Sequence, residues 1–562
     1  MRTILSLVFA TVVLHSLAQP LQHAWANRVG GPQDGEKLWR CAVDENGNVY
    51  AAGAFRGTFS DQGSSVTSVG SADILLVKYG PDGTLLWARS AGGPYFDTAH
   101  GVESDKDGNV YITGAYSGLA IFGDTLISNL DPDGVNLPFS FIARYSPDGD
   151  LRWVRTADAE ILPSYYPYCI SYGIKLDRFG DLVVTGAYNC NLPSAEDPAL
   201  STLSFGGFPF RTSQLNSYDQ VYVQKIDTLG NTEWLYSPGG LEGLGILYSA
   251  AFDAQNNPWV GGIKNGTLDF TCGPVTAAGN GSTQQGVVFQ LSPSGSPLSA
   301  FLVDASLQSQ VEDLIVAGNG ELFLSGWHKG TLNGAAESSG YDGFLMRTTP
   351  GGAPIWTNRL TGIGDDFFSG IATTSVPNEV VGGAIYFFQA GFAGTSLAQS
   401  AGTNSALIRM DTMGTVLEVV QPEVLSGSTL IADVQSDIFG NFYLCGDISG
   451  QAVFTEDTIS CTTQDMYVCK ISPQTPTEIT DAMRPDTGLA LWPNPCVTTT
   501  LIQAPPEYLR AEIHDATGRI VRSVGLKSGR AEIDVSNLHA GVYHVVAFAP
   551  GQQADRRLVV AR

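Results

Sequence analysis

The sequence predicts an all-β chain: a ring of seven four-stranded blades closed by an amino-terminal strand, then a small immunoglobulin-like β-sandwich. Three observations predict it. A unit of two hairpins returns about seven times between residues 23 and 473. A segment near the amino end copies the strand that the last unit lacks. A shorter pattern of alternating apolar residues, different from the repeat, occupies residues 489–562.

The chain begins with Met1-Arg-Thr, an apolar run from Ile4 to Leu14, and small residues before Gln19. A cationic tip, a short apolar core and a small-residue end are the three parts of a secretory signal peptide, placed at residues 1–18. The apolar run is shorter than the ~20 residues a spanning helix needs. No later stretch is long and apolar enough to cross a bilayer, so no transmembrane segment is expected.

Residues 19–473 carry the repeat. Ala42 to Gly53 reads as one hairpin, and Asp73 to Trp87 as the next. First-hairpin turns recur at Asn46-Gly47, Asp107-Gly108, Phe179-Gly180, Asn256-Asn257, Asn319-Gly320, near Asn378, and at Phe439-Gly440. Asn-Gly and Asp-Gly tolerate the positive φ that a two-residue hairpin requires. Second-hairpin turns recur at Asp82-Gly83, Asp148-Gly149, Leu229-Gly230, Ser294-Gly295, Gly351-Gly352 and Met413-Gly414. The strand after them often carries Trp, as at Trp87, Trp153, Trp234 and Trp356, read as packing between blades. Successive first turns lie from 58 (320 to 378) to 77 (180 to 257) residues apart. Four strands in such a period fit radial blades better than a solenoid.

The last unit stops at Pro473 without its Trp strand. His23-Ala-Trp-Ala-Asn-Arg-Val-Gly-Gly31 copies Leu86-Trp-Ala-Arg-Ser-Ala-Gly-Gly93. The amino-terminal segment is therefore expected to supply the missing outer strand, which removes two sheet edges that invite aggregation. The Asp-x-Asn-Gly-Asn-Val-Tyr and Asp-Gly-x-Leu-x-Trp patterns resemble bacterial propellers of the seven-bladed-repeat family. That resemblance implies an architecture on secreted and surface proteins and no fixed activity.

Eight cysteines in 562 residues do not make a disulfide scaffold. Cys169 and Cys190 are equally spaced about Phe179-Gly180, and unbroken two-residue-turn pairing would set them opposite each other, within disulfide reach. Cys445 and Cys469 are a weaker pair. No CxxC or His/Cys cluster suggests a metal site. Asp105-Lys-Asp-Gly-Asn and Asp131-Pro-Asp-Gly resemble pieces of calcium loops, yet neither has the closing Glu, and turn duty explains the first. No cofactor is expected.

Residues 474–488 are polar and Pro-spaced, a linker. Beyond it, Pro493-Asn494-Pro495, then Asp515, Gly518 and Arg519, then Leu538, Gly541 and Tyr543 stand in order along an alternating pattern. Together these motifs resemble the C-terminal sorting domain of type IX secretion cargo, type A. The resemblance implies handling by the type IX machinery and a destination outside the cell or on its outer surface, via the periplasm.

Charge points the same way. With 55 acidic against 30 basic residues the formal net charge is −25, which repels nucleic acid and anionic lipid. Candidate ligand-binding residues sit in loops that open onto one face of the channel: Trp39, Tyr95, Phe96, Asp97, His100, Tyr165, Tyr166, Glu312, Asp313, Asp365, Asp366 and Phe367. Aromatic faces beside carboxylates suit sugars, through C–H stacking and hydroxyl hydrogen bonds. The expectation is a non-enzymatic module that binds a glycan or a protein loop. Two alternatives stand beside it. One is a secreted polysaccharide hydrolase or lyase using a carboxylate pair such as Asp97 with Asp313 or Asp366; the other is a cation-dependent adhesin. No nucleophile elbow, P-loop or dinucleotide fingerprint occurs in a suitable setting.

Overall fold

A computed structural model describes residues 20–31, 36–130, 136–160, 167–189, 202–210, 219–238, 240–242, 245–270, 273–276, 284–334, 340–376, 378–398, 402–474, 489–494, 496–515, 519–539, 541–549 and 552–560. The proposed signal peptide and most of the proposed linker lie outside them. The chain divides into two compact units, residues 1–473 and 474–562.

Among the described residues, every regular element of the first unit is a strand. In its first sheet, Lys37–Val43, Val49–Phe55, Asp73–Tyr79 and Leu85–Gly92 run antiparallel in chain order. The same order recurs in the sheets that open with Thr98–Ser104, Tyr168–Leu176, Gly245–Phe252, Gln308–Val316 and Phe367–Thr373. The last sheet has Glu423–Ser436, Phe442–Phe454 and Asp457–Pro473, and its fourth strand is Leu21–Val29. That strand pairs antiparallel with Asp457–Pro473, Trp25 opposite Lys470 and Val29 opposite Met466. Each opening strand packs on the next, and Glu423–Ser436 packs on Lys37–Val43, so the inner strands close a ring. The unit is a β-propeller.

The middle strands are apolar on both faces because both faces are covered. Every residue of Val49–Phe55 and of Asp73–Tyr79 is buried. The outer strands are tied to the neighbouring sheet by tryptophan. The indole N–H of Trp25 donates to Pro81 O at 3.1 Å, Trp87 to Pro147 O at 2.9 Å, Trp153 to Thr228 O at 3.2 Å, Trp234 to Pro293 O at 3.0 Å, and Trp356 to Thr412 O at 2.8 Å. The expected inter-sheet role of these tryptophans is what the structure shows. Glycine in the receiving turn leaves room for the ring. At Gly295, where φ is +82°, a Cβ would stand 2.7 Å from Trp234. Trp25 makes the same link from the amino-terminal strand, and Gly83 receives it.

The first-hairpin turns are not two-residue turns. Asp44 N–H donates to Asn48 O at 3.0 Å and Gly47 N–H to Asp44 O at 2.9 Å, a three-residue loop ending in glycine at φ +76°. Asp44 Oδ1 accepts the amides of Asn46 and Asn48, each at 2.9 Å, which is why aspartate opens the motif. The Asp105 turn is built the same way, so its calcium-loop likeness is turn chemistry; Asp131 lies outside the described residues.

This turn also overturns the disulfide. The longer loop and a bulge between Ser171 and Gly173 shift the register, so Cys169 faces Tyr188. Cys169 is a free, buried thiol, and Cys190 lies outside the described residues. Cys445 and Cys469 are also free, Cys445 pairing with Val468.

The second unit holds two antiparallel sheets. One has Ala490–Trp492, Thr499–Gln503 and Arg530–Asp534; the other has Ile520–Gly525, Arg510–His514, Gly541–Ala549 and Gln552–Val560. Ile502 and Ile533 from the first share one core with Ile513, Val545 and Leu558 from the second.

Candidate functional site: the channel wall

Each inner strand carries a bulge at the same height. The register slips at Leu38/Arg40, Ala99/Gly101, Ser171/Gly173, Leu247/Ser249, Val311/Asp313, Phe368/Gly370 and Ile431/Asp433. A bulge leaves one residue unpaired and re-aims its side chain. The residues left over are Trp39, His100, Tyr172, Tyr248, Glu312, Ser369 and Ala432, and all of them line one cavity of about 410 Å³.

Four consecutive bulge residues form an aromatic arc. Trp39 and His100 meet edge to face at 5.3 Å, His100 stacks on Tyr172 at 4.8 Å, and Tyr172 meets Tyr248 at 5.6 Å. Lys37 Nζ lies 3.8 Å from the Trp39 ring centre, a cation–π contact. Burial pushes His100 down to about 4, so the ring is neutral. Its Nδ1 is 3.0 Å from Ser171 O, which can only accept, so Nδ1 carries the proton and Nε2 is an acceptor. The other three bulge residues are small or polar: Ser369, Ala432, and Glu312, whose Oε1 accepts Gln310 Nε2 at 2.5 Å. Burial raises the Glu312 carboxyl, and Arg40 opposes that rise.

Arg40 lines this cavity and a second one of about 430 Å³. Its guanidinium donates to Ala432 O at 3.1 Å and Glu312 O at 3.4 Å. Burial works against its charge, but Asp433, Asp313 and Glu312 outweigh that and hold it protonated. The carboxylates of the second cavity are tied to neighbouring strands. Asp433 accepts Cys41 N–H at 3.0 Å; Asp313 accepts Ile371 N–H at 3.1 Å and Ser249 Oγ at 2.5 Å; Glu103 pairs with Lys175 at 2.7 Å. Burial raises Asp433 to about 6.

The structure therefore divides the residues named from sequence. Trp39, His100, Glu312 and Phe367 line the first cavity, and Asp313 lines the second. Tyr95, Phe96, Asp97, Asp365 and Asp366 line neither. Tyr95 packs on Gly118, Phe96 bridges to Ala72, and Asp365 accepts Tyr341 N–H at 3.1 Å. Asp97 and Asp366 are fully buried, Asp97 accepting the amides of Gly93 and Ser117. Tyr165 and Tyr166 lie outside the described residues. Arg40, Tyr172, Tyr248, Lys37 and Asp447 were not singled out. A fixed offset would have found the ring: Trp39 precedes Asp44, His100 Asp105, Tyr172 Asp177 and Tyr248 Asp253, each by five positions. Among the described residues no group of three or more His, Cys, Asp or Glu could hold a metal ion.

Comparison with known proteins bears first on the tail. Residues 490–561 match the secretion system C-terminal sorting domain family. Asn494 ties the start of this unit to its last strand, and the other bonded motif residues make local contacts. Asn494 Oδ1 accepts Val559 N–H at 2.8 Å while its Nδ2 donates to Arg557 O at 2.8 Å, Arg519 Nε meets Asp515 Oδ2 at 3.1 Å, and Tyr543 Oη donates to His539 O at 2.9 Å. Leu538 packs on the core, whereas Pro495 and Gly518 lie outside the described residues. The chain is thus a β-propeller protein with a type IX sorting domain, addressed to the cell surface or to secretion. No helix among the described residues is long and apolar enough to cross a membrane.

The chain is 23% identical over 266 residues to an uncharacterized WD repeat-containing protein of Acanthamoeba polyphaga mimivirus, covering 40% of this chain and 18% of that one. Among solved structures, virginiamycin B lyase from Staphylococcus aureus aligns at 9% identity and a TM-score of 0.38, covering 80% of this chain and 99% of that one. The β-propeller domain of Cps50 (Swd1) from Myceliophteria thermophila aligns at 8% and 0.37, covering 80% and 100%. PorZ, a surface component of the type IX secretion system of Porphyromonas gingivalis, aligns at 11% and 0.21, covering 96% and 100%. No ligand or activity is transferred from them.

Proposed function

We propose that the chain is a secreted or surface-held seven-bladed propeller with an immunoglobulin-like tail, acting as a binding module without catalysis. Its site is the aromatic-walled channel cavity, and its ligand a glycan or a protein loop. One observation carries this reading: the bulges turn four aromatic rings into one cavity, while Asp433, Asp313 and Glu103 of the second cavity are tied to strand amides, a hydroxyl and Lys175. A glycosidase instead needs two carboxyl groups flanking one cleft. Asp97 and Asp366 accept backbone amides outside both cavities, so neither joins Asp313 in such a pair. The Tyr543 hydroxyl bonded back to His539 supports the immunoglobulin-like reading of the tail, being the corner such sandwiches use.

A glycan-array screen of the exported chain, with product analysis on every hit, tests the proposal. Saturable binding that falls at least about tenfold in Tyr248→Ala is expected, a loss of about 1.4 kcal/mol. Product release from any hit would overturn the binding reading. Silence on every sugar would leave the protein loop as the ligand.

A further inference from the structure

Three junctions between neighbouring sheets share one arrangement. At each, an acidic residue of a sheet's third strand meets an acidic residue just ahead of the next sheet's inner strand. The pairs are Asp73 with Asp97, Asp342 with Asp366, and Asp465 with Glu36, and all six residues are at most 2% exposed. A glycine at the end of the outer strand lets them approach. A Cβ at Gly92 would stand 2.8 Å from both Asp73 Cγ and Asp97 Oδ2, and one at Gly362 would stand 2.7 Å from Asp366 Oδ2. At Gly30 it would collide with the carboxyl oxygens of both Asp465 and Glu36.

Main-chain amides satisfy part of each pair. Asp73 Oδ2 accepts Val69 N–H at 2.9 Å, Asp97 Oδ2 accepts Gly93 N–H at 2.8 Å, Asp366 Oδ1 accepts Phe387 N–H at 3.2 Å, and Glu36 accepts Gly31 N–H at 3.0 Å. Asp73 Oδ1, Asp342 Oδ2 and Asp366 Oδ2 are buried acceptors with no hydrogen-bond donor. Two buried carboxylates side by side cannot both keep their charge cheaply. One proton held between them removes a charge and gives a stranded oxygen its donor.

We propose that these junctions are proton clasps: each pair holds one proton between adjacent sheets, and the ring loosens when those protons leave. One clasp, Glu36 with Asp465, lies where the amino-terminal strand joins the first sheet, so ring closure itself responds to pH. Burial raises Glu36, Asp97 and Asp366 each to about 7, and the partner carboxylate adds to the rise.

The other groups facing these pairs are few. Tyr116 faces Asp97; Asp365 and Tyr386 face Asp366. Arg359, 3.9 Å away, and His328 face Asp342; Arg28 Nε donates to Asp465 Oδ2 and offsets one charge of that pair, and Cys461 faces Asp465 as well. These folded values exceed the ~4 of an unfolded carboxyl. The stabilisation is therefore complete below about pH 4 and is lost as pH rises to about 7. Carboxylates lowered by folding, such as Asp177 and Asp227, act only below that window.

The test is equilibrium unfolding of the full exported chain between pH 5 and 8, beside the variant Glu36→Gln/Asp97→Asn/Asp366→Asn, whose amides carry the donor at any pH. The folding constant of the wild type should fall by up to about a hundredfold per clasp, and the variant should lose most of that fall. A wild type flat over this range, or a variant with the wild-type slope, would overturn the proposal. A wild-type measurement guards against a variant that does not fold. Infrared spectra in D2O should show a protonated-carboxyl band at pH 6 that vanishes by pH 9 in the folded protein and is weaker in the variant, since Asp433 and Asp447, raised by burial to about 6, contribute to both. No band at pH 6 would also overturn the proposal.

Discussion

Replacing Arg40 by methionine tests whether the channel charges hold the ring or serve chemistry. The guanidinium is enclosed, bonded to Ala432 O and Glu312 O, and balanced by Asp433, Asp313 and Glu312. Methionine keeps the bulk of the stem and removes the charge. Asp433 then remains buried and Asp313 half-buried, still fixed by Cys41 N–H and Ile371 N–H but without their cation. Breaking a buried ionic network from one side costs about 3–5 kcal/mol. The cost should be smaller at pH 5 than at pH 8, because Asp433, already raised to about 6, rises further without Arg40 and takes up a proton. Denaturant unfolding of wild type, Arg40→Met, Asp433→Asn and the double variant closes the cycle. The double variant should recover about half of the single loss or more, since it restores charge balance. A loss under about 1 kcal/mol for Arg40→Met, with no dependence on pH, would refute the reasoning.

Two further outcomes follow from the same contacts. Trp25→Ala should cost as much as Trp87→Ala, about 3–5 kcal/mol by unfolding, because both rings seat on the next sheet's turn glycine and donate to its proline carbonyl. Cys169, Cys445 and Cys469 should all react with a thiol reagent in the denatured, unreduced chain, since they are free thiols; protection of any of them until reductant is added would contradict this.

Much of the fold was legible because its signals are local and repeated. Asp44 and Gly47 mark a turn in any sequence, and Trp87 after Asp82-Gly83 marks an outer strand. His23 to Gly31 betrayed its place by copying that strand. What was missed depends on register. The bulge residues interrupt the alternation of their strands, so Tyr172 and Tyr248 look like ordinary strand positions. Cys169 was misplaced by the same bulge and a loop one residue longer than assumed. Asp97 and Asp366 look like exposed loop carboxylates, and only the fold shows that they turn inward onto amides. The tail was the easiest to place, because most of its motif contacts are local: Asp515 and Arg519 pair four residues apart, and Tyr543 bonds back four residues to His539.

Amide hydrogen exchange along residues 21–29 is the most direct measurement of the ring itself. Ala26 N–H donates to Asp457 Oδ2 at 2.9 Å, and the strand pairs from Val29 opposite Met466 to Leu21 opposite Pro473, with one bulge between His23 and Trp25. The paired amides of this strand should be protected as strongly as those of residues 466–471, and should open together with the whole propeller. Exchange at the rate of a free chain there would contradict the closed ring and dissolve the channel site built on it.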